Sequence, residues 1–588
     1  MKNGIYKDSD VSDTINRIKS ILQRNNIIVE EKIDQGYDGI YSVRLTIKEL
    51  SLGTNGKGTT ENNALASAYG ELMERIQNFA LYKFTYPDVY GICETDFYYA
   101  PDEKKYSVNN FCKLISIFGN GIDTHDYEKL LYIRSSYEIR NNNVVCIPYK
   151  KINSCDVIDM PAKLVDAIYA SNGMAAGNTI SEALVQAISE VFERFANRII
   201  CDGKITPPQI PIEKIGFSSE MISIINSIKE KGDYDIVFKD CSIGLGLPVV
   251  ALYFIDKAAG KYFVKFGAHP ILRIAAERTM TELFQGRKLI TSNRWLKDFS
   301  FESCSDQFRN FEKIFRSGDG KYPFNIFKSN YTYELTSSWY DEHQLASNND
   351  LLNYLVEIIN RNHWTMLYRD VSFLGFPTVH VIIPEISFIN VIGNEYINKY
   401  IYYEKVKSIM RNIHKCGEQE LFDLINFIDN NFYSSFDSIL PLTGLPLNND
   451  SFLSKMNNLY FKFLLFAKTR KYKEALENID KYIVDNHLLN SVAGVKYRCF
   501  REAFYSLKIM NNTTEQTKDV LLKVYDEKII NPILKILSEG TFLEEIDRIN
   551  CFNCSKCDSN FSCRMLLIAD FHKKICAKYS EWNGEIYE

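Results

Sequence analysis

Histidine is scarce in this chain: eight occur in 588 residues, and no two of them form an HxH or HxxxH pair. That spacing argues against the common histidine-based metal sites. No run of about 18 apolar residues occurs, so a membrane-spanning helix is not expected. The opening residues, MKNGIYKDSDVSD, are polar and charged, and without an apolar core they do not read as a secretory signal. Positive charge is not in excess, because 69 Lys and Arg face 74 Asp and Glu for a formal charge of −5. A general nucleic-acid binder would show the opposite balance. No segment has the spacing of a Walker A loop. A cytoplasmic protein with no membrane partner and no direct nucleic-acid partner is therefore expected. Its 588 residues exceed one ordinary core, so two or more domains are the starting expectation.

Acid at helical spacing is what the chain has instead. Ala64, Glu71 and Glu74 are followed by Arg75; Ala183, Glu190 and Glu193 are followed by Arg194. Ala275, Glu282 and Gln285 are followed, one residue further on, by Arg287. Steps of seven and three keep residues on one helix face. Three helices are predicted, each presenting a small residue and then two oxygen-bearing side chains. Between the first two copies, Ala64, Leu65, Ala68, Glu71, Glu74 and Arg75 match Ala183, Leu184, Ala187, Glu190, Glu193 and Arg194. Asn55-Gly56 precedes one and Asn172-Gly173 the other, and the pair reads as an internal duplication.

The surrounding chain mixes strand and helix patterns. Residues 12–25 have apolar residues at helical spacing, with Ser12 as the N-cap. IIVEEKI and GIYSVRLTIKEL alternate as strands do, and TNGKGTTEN reads as a glycine loop entering the first acidic helix. KYFVKFGAHP, HWTMLYRDVSF and PTVHVIIP also read as strands. From about residue 452 the pattern is helical. NLYFKFLLFAKTRKYKEALENIDKYIVDN has the form of a helical hairpin, in which KYKEAL is similar to one tetratricopeptide-type unit. The domain boundary is placed after Pro446, giving segments 1–446 and 447–588.

One acidic helix alone reads as a solvated face. A duplicated pair reads differently, because converging carboxylates repel unless cations lie among them. Ser67, Glu71 and Glu74 on one stripe suit a hard cation beside phosphate. A helix start offers N–H groups to an anion, and Lys57 could add a point charge. Four carboxylates, Glu71, Glu74, Glu190 and Glu193, fit two or more divalent metals with a polyphosphate between them.

SAYGELMER, SNGMAAGNTISEALVQAISEVFER and GAHP…RTMTELFQGR together resemble the YcaO family, over roughly residues 1–400, and the helical C-terminal part resembles the stand-alone type. The resemblance implies an α+β fold: a YcaO-type internally duplicated αβ domain followed by a helical domain. It implies ATP bound with Mg2+, with Glu71, Glu74, Glu190 and Glu193 as the metal ligands. Ser67, Asn178, Glu182, Arg194, Glu282, Gln285 and Arg287 would line the nucleotide site, joined by Lys7 and Thr14. It also implies phosphorylation of a peptide amide oxygen, leading to an azoline or a thioamide, or an accessory role in methylthiolation of a small-subunit ribosomal protein; an ATP-binding adaptor that recruits a modifying enzyme is a third reading. The implied partners are a peptide or ribosomal-protein substrate, a methylthiotransferase or TfuA-like sulfur donor, and a second copy in a homodimer. Azoline-forming members end in a proline-rich tail. Here the final residues are EWNGEIYE and the last proline is Pro532, which lowers the expectation of azoline formation.

Cys551, Cys554, Cys557 and Cys563 form a C-x2-C-x2-C-x5-C run. Such a run suits Zn2+ or an iron–sulfur cluster, with free thiols and sulfur relay as the alternatives. His269 reads as a substrate contact or as a turn histidine bound to backbone.

Overall fold

The structure is a computed structural model. It describes residues 7–37, 40–81, 99–107, 143–152, 154–284, 296–302, 307–316, 320–336, 339, 347–389, 405–406, 409–410, 413–431, 439, 456–547 and 564–582. The cysteine run 551–563 and the pair Gln285 and Arg287 lie outside them. The chain forms two compact units. One comprises Met1–Lys83, Thr95–Tyr396 and Phe571–Glu588; the other comprises Phe84–Glu94 and Ile397–Asp570. The sequence predicts one division, after Pro446. Among the described residues no helix is long and apolar enough to cross a membrane.

Among its described residues the first unit contains three antiparallel sheets. Helix α1 (Val11–Arg24) leads into the first, β1 (Val29–Tyr37), β2 (Ile40–Ile47) and β3 (Leu52–Gly58), in the order β1-β2-β3. Helix α2 (Glu61–Gln77) follows β3 directly. The second sheet contains β4 (Lys104–Ser107), β5 (Asn143–Lys151), β6 (Val157–Pro161), β7 (Met174–Ala176), β13 (Leu367–Asp370) and β14 (Thr378–Ile382), in the order β4-β5-β13-β14-β7 with β6 on β5. Between β6 and β7 lies α3 (Ala162–Ile168), and after β7 comes α4 (Ile180–Cys201). The third sheet runs β12-β11-β10-β9-β8, from β8 (Gln209–Ile210), β9 (Tyr234–Asp240), β10 (Val249–Asp256), β11 (Lys261–Ala268) and β12 (Lys297–Asp298). Helices α5 (Ser219–Glu230) and α6 (Leu272–Phe284) belong to it, with α7 (Gln307–Arg316) and α8 (Asn348–Arg361) beyond.

Strand alternation explains how the third sheet is buried. Val249, Ala251 and Tyr253 face a core shared with α4 and α8, which also takes in Ala175, Val379 and Val381 of the second sheet. Val250, Leu252 and Phe254 point the other way, toward α5 and α6. Both faces of β10 are thus covered, and α4 is apolar enough to sit between two sheets.

Two local expectations are corrected. The N-cap of α1 is Asp10, with Ser12 already inside the helix. TNGKG is not a loop, because Gly53 to Gly58 lie in β3. Its glycines serve close packing: a Cβ on Gly56 would meet the Ala64 carbonyl oxygen at 2.1 Å, and one on Gly58 would meet the Ala64 nitrogen at 2.5 Å. Asn172-Gly173 is a turn, with Gly173 at φ +80°. The two Asn-Gly pairs are therefore not equivalent.

The second unit is helical among its described residues: α9 (Glu418–Asn431), α10 (Asn458–Lys468), α11 (Tyr472–Asp485), α12 (Val495–Lys508), α13 (Thr514–Leu521) and α14 (Glu527–Glu539). Helices α10 and α11 form the expected hairpin. Phe461, Phe463, Ile479, Phe500, Phe504 and Ile533 are among its core residues. Helix α15 (Met565–Glu581) ends the described chain, and its residues from Phe571 on belong to the first unit. There Tyr579 donates to Asp102 (2.8 Å), which takes a bidentate pair of bonds from buried Arg369 (2.7 Å each). Cys576 is buried with its Sγ 2.9 Å from His572 Nε2.

Candidate functional site

The two acidic helices are built alike from their first turn. Thr60 and Thr179 are extended N-caps, each accepting from the backbone N–H three residues on, at Asn63 and Glu182. Just before each cap a glycine touches the helix. A Cβ on Gly177 would meet the Ala183 nitrogen at 2.7 Å, as one on Gly58 would meet that of Ala64. Glycine, threonine, alanine, both glutamates and arginine correspond throughout without a gap. The third segment keeps part of this frame: a Cβ on Gly267 of β11 would meet the Ala275 carbonyl oxygen at 2.5 Å, as Gly56 does with Ala64. In each copy a glycine without a side chain lets the preceding chain meet the backbone of the alanine that opens the motif.

Glu71, Glu74, Glu190 and Glu193 interact electrostatically across the two helices. Burial first, then Glu190 and Glu71, raises Glu74 to about 8 against Arg75 and Arg194. Burial and Glu190 likewise raise Glu193, with Arg194, Lys57 and Arg278 opposing. Cations sit among the acids. An ideal helix would turn Arg75 away from them, yet its long side chain folds back to Glu71 (3.6 Å) and Glu74 (3.4 Å). Arg194 pairs with Glu190 at 2.9 Å. Lys57 of β3 pairs with Glu282 of α6.

A second cluster lies at the start of α4. Lys7 bonds Glu182 at 2.8 Å, and the Asp8 amide donates to the same carboxylate at 2.9 Å. Asn178 donates to it at 3.1 Å and accepts from the Thr14 hydroxyl at 2.9 Å. Burial alone would raise Glu182, but the Lys7 ammonium and these donors outweigh it and hold it below the usual carboxylate range. Lys7 and Thr14 are thus brought beside Asn178 and Glu182, which lie far along the chain. Ser67 lies on α2 and is exposed. His269 is buried, and its Nδ1 accepts from the Ile271 amide at 3.1 Å, the backbone-bound reading. Burial pushes it well below the ordinary histidine range.

Sequence reasoning missed two arginines. Arg278 of α6 donates to the Ala268 carbonyl (2.7 Å) and to Gln186 of α4 (2.5 Å). It stands three residues after Ala275, the position that holds Ser67 and Gln186 in the other copies, and that register was the available signal. Arg17 donates to the Asn178 carbonyl (3.2 Å) and to that of Gly375 (3.0 Å), tying α1 to the start of α4. One helical turn after Thr14, it had no such signal.

The donor set suits a hard divalent cation, being made only of carboxylate oxygen. Among the described residues no group of three or more His, Cys, Asp or Glu side chains stands ready to hold a metal ion. The acids are instead drawn toward arginine and lysine.

An internally repeated α+β domain with acids converging from two matched helices defines the class of protein. The chain belongs to the YcaO family: residues 55–387 match the family described as YcaO cyclodehydratase, ATP- and Mg2+-binding. It is 27% identical over 463 residues to the Escherichia coli K12 ribosomal protein S12 methylthiotransferase accessory factor YcaO, covering 76% of this chain and 77% of that one. It is 28% identical over 400 residues to an uncharacterized protein of Haemophilus influenzae Rd, covering 65% of each. Among solved structures, a heterocyclase in complex with substrate and cofactor aligns at TM-score 0.46 and 16% identity, over 65% of this chain and 52% of that one. YcaO from Methanopyrus kandleri bound with AMPPCP and Mg2+ aligns at TM-score 0.38 and 16% identity, over 65% of this chain and 92% of that one. The chain thus spans about half the length of that heterocyclase.

Proposed function

We propose that this chain binds ATP with Mg2+ between α2, α4 and α6 and uses it to activate a peptide backbone amide. The observation that carries the reading is the electrostatic coupling of Glu74 with Glu71 and Glu190, and of Glu193 with Glu190, across two helices of one repeated frame. Glu71, Glu74, Glu190 and Glu193 would hold the metal. Lys7, Thr14, Asn178 and Glu182 form one network whose polar groups would face the nucleotide, and Arg194, Glu282 and Ser67 stand on the same helices. When bound, ATP and Mg2+ supply a transferable phosphoryl group, which on an amide oxygen makes that oxygen a leaving group. The chain's own work is to hold and orient. Arginines beside the acids balance charge on the phosphates, and Arg17 keeps the Asn178 backbone in place.

The test is a calorimetric titration of ATP in Mg2+ with wild type, Glu71→Ala and Glu190→Ala. Loss of at least tenfold in affinity in each is expected, and unchanged binding in both would remove the site. A second reading is favoured by the E. coli relative, matched over most of both chains. Here the same site serves an accessory factor for methylthiolation of a ribosomal protein. Cells lacking this chain would then lose the methylthio mass on ribosomal protein S12, whereas an unaltered S12 mass would leave amide activation on another peptide.

A further inference from the structure

Lys57 occupies an unusual place. It lies in β3 between two glycines that press against α2, so its backbone is fixed. Its ammonium pairs with Glu282 and lies within electrostatic reach of Glu193, Glu71 and Glu190. One cation therefore answers acids from all three helices of the repeat. The corresponding strand positions in the other two copies, aligned on the helix alanine, are Ala176 and Ala268. Only one copy carries a charge here, which suits a central element shared by three helices better than a repeated packing residue. Its side chain keeps 22% exposure, yet desolvation lowers this ammonium to about 8 even though the surrounding acids raise it. A lysine is costly in such a place unless the acids need it.

We infer that Lys57 is an internal counter-cation that holds the glutamates of α2, α4 and α6 together when no metal is bound, and gives way to the divalent ion when it arrives. The inference rests on the metal-binding reading above and assigns a role within it. Without a cation the acids would repel one another. With Lys57 among them the site keeps its shape but binds metal against competition. The ammonium, released from the carboxylates, remains beside the place the phosphates would take.

Two measurements test this on the full chain. In EDTA and without nucleotide, Lys57→Met should melt lower than wild type by about 2 °C or more. Adding Glu282→Gln to Lys57→Met should recover part of that loss, because it removes one unbalanced acid. No recovery, with Glu282→Gln alone harmless, would overturn the counter-cation role whatever the metal does. Separately, Mn2+ titrated without nucleotide and followed by electron paramagnetic resonance should bind Lys57→Met about tenfold more tightly than wild type. Equal or weaker binding would overturn the exchange. If no protein in the series binds Mn2+ while the melting rescue holds, the metal reading fails and Lys57 remains a counter-cation only.

Discussion

Helices α2 and α4 start on the same contacts and then part. Each has a threonine cap, a glycine pressed on its first alanine, and two glutamates followed by arginine. Where they differ, each position answers a different neighbour. Asn63 is half-buried on α2, whereas its counterpart Glu182 is buried under Lys7 and Asn178. Ser67 is exposed, whereas its counterpart Gln186 accepts from Arg278. The frame persisted because a methyl group or a lost cap would push helix and strand apart. The intervening positions diverged because Glu182 meets Lys7 and Asp8, and Gln186 meets Arg278 of α6. A duplicated scaffold has thus become an asymmetric site.

The comparison can be broken most strongly at the glycine contacts. Gly56→Ala should cost about 3 kcal/mol by urea unfolding, because its Cβ would meet backbone 2.1 Å away. A cost under about 0.5 kcal/mol would mean the strand–helix contact is not what preserves the frame.

Acid tests an anchor at the second Asn-Gly pair. His380 of β14 contacts Tyr149 Oη (2.8 Å) through Nδ1 and the Asn172 carbonyl (3.2 Å) through Nε2. Burial, with Arg369 adding and Asn172 opposing, lowers it to about 3. Because the folded value lies below the unfolded one, the unfolded chain holds the extra proton between the two. Stability is therefore complete above about pH 6.5 and falls as pH drops toward 3, by up to about 1.4 kcal/mol per pH unit from this group. His380→Gln should flatten that slope in urea melts taken at several pH values; an unchanged slope would assign the acid response to other groups.

The caps sharpen the comparison. Thr60→Ala should cost about 1 kcal/mol. Thr179→Ala should cost more, because its hydroxyl also donates to Asp8. It should weaken ATP binding as well, while Thr60→Ala should affect it less; equal effects would argue that the Lys7–Asp8 segment does not belong to the site. The smallest effect is expected at Gly70 of α2, where a Cβ meets nothing within 4 Å. Gly70→Ala should raise stability by about 0.5–1 kcal/mol by thermal melt.

The acid pattern and its duplication were legible in the sequence because helical spacing survives as residue identity. The mixed α+β class and the helical C-terminal part were legible for the same reason, since period-two and helical patterns are local. The role of the glycines was not. TNGKG has the composition of a loop, and only the approach of α2 shows why a strand needs it. Nor was the inward fold of Arg75, because ideal helix geometry ignores the reach of a long side chain toward two acids. Arg278 and Arg17 act between segments distant in the chain, which no local pattern records.

The central claim is that glutamates from two copies serve one ATP–Mg2+ site. A double-mutant cycle with Glu71→Gln and Glu190→Gln, read by calorimetric titration of ATP in Mg2+, tests it most directly. Each single change should weaken binding at least tenfold, and the double variant should lose clearly less than the product of the two. Strictly multiplicative losses would place the two acids in separate sites, and wild-type affinity in either single variant would contradict the account.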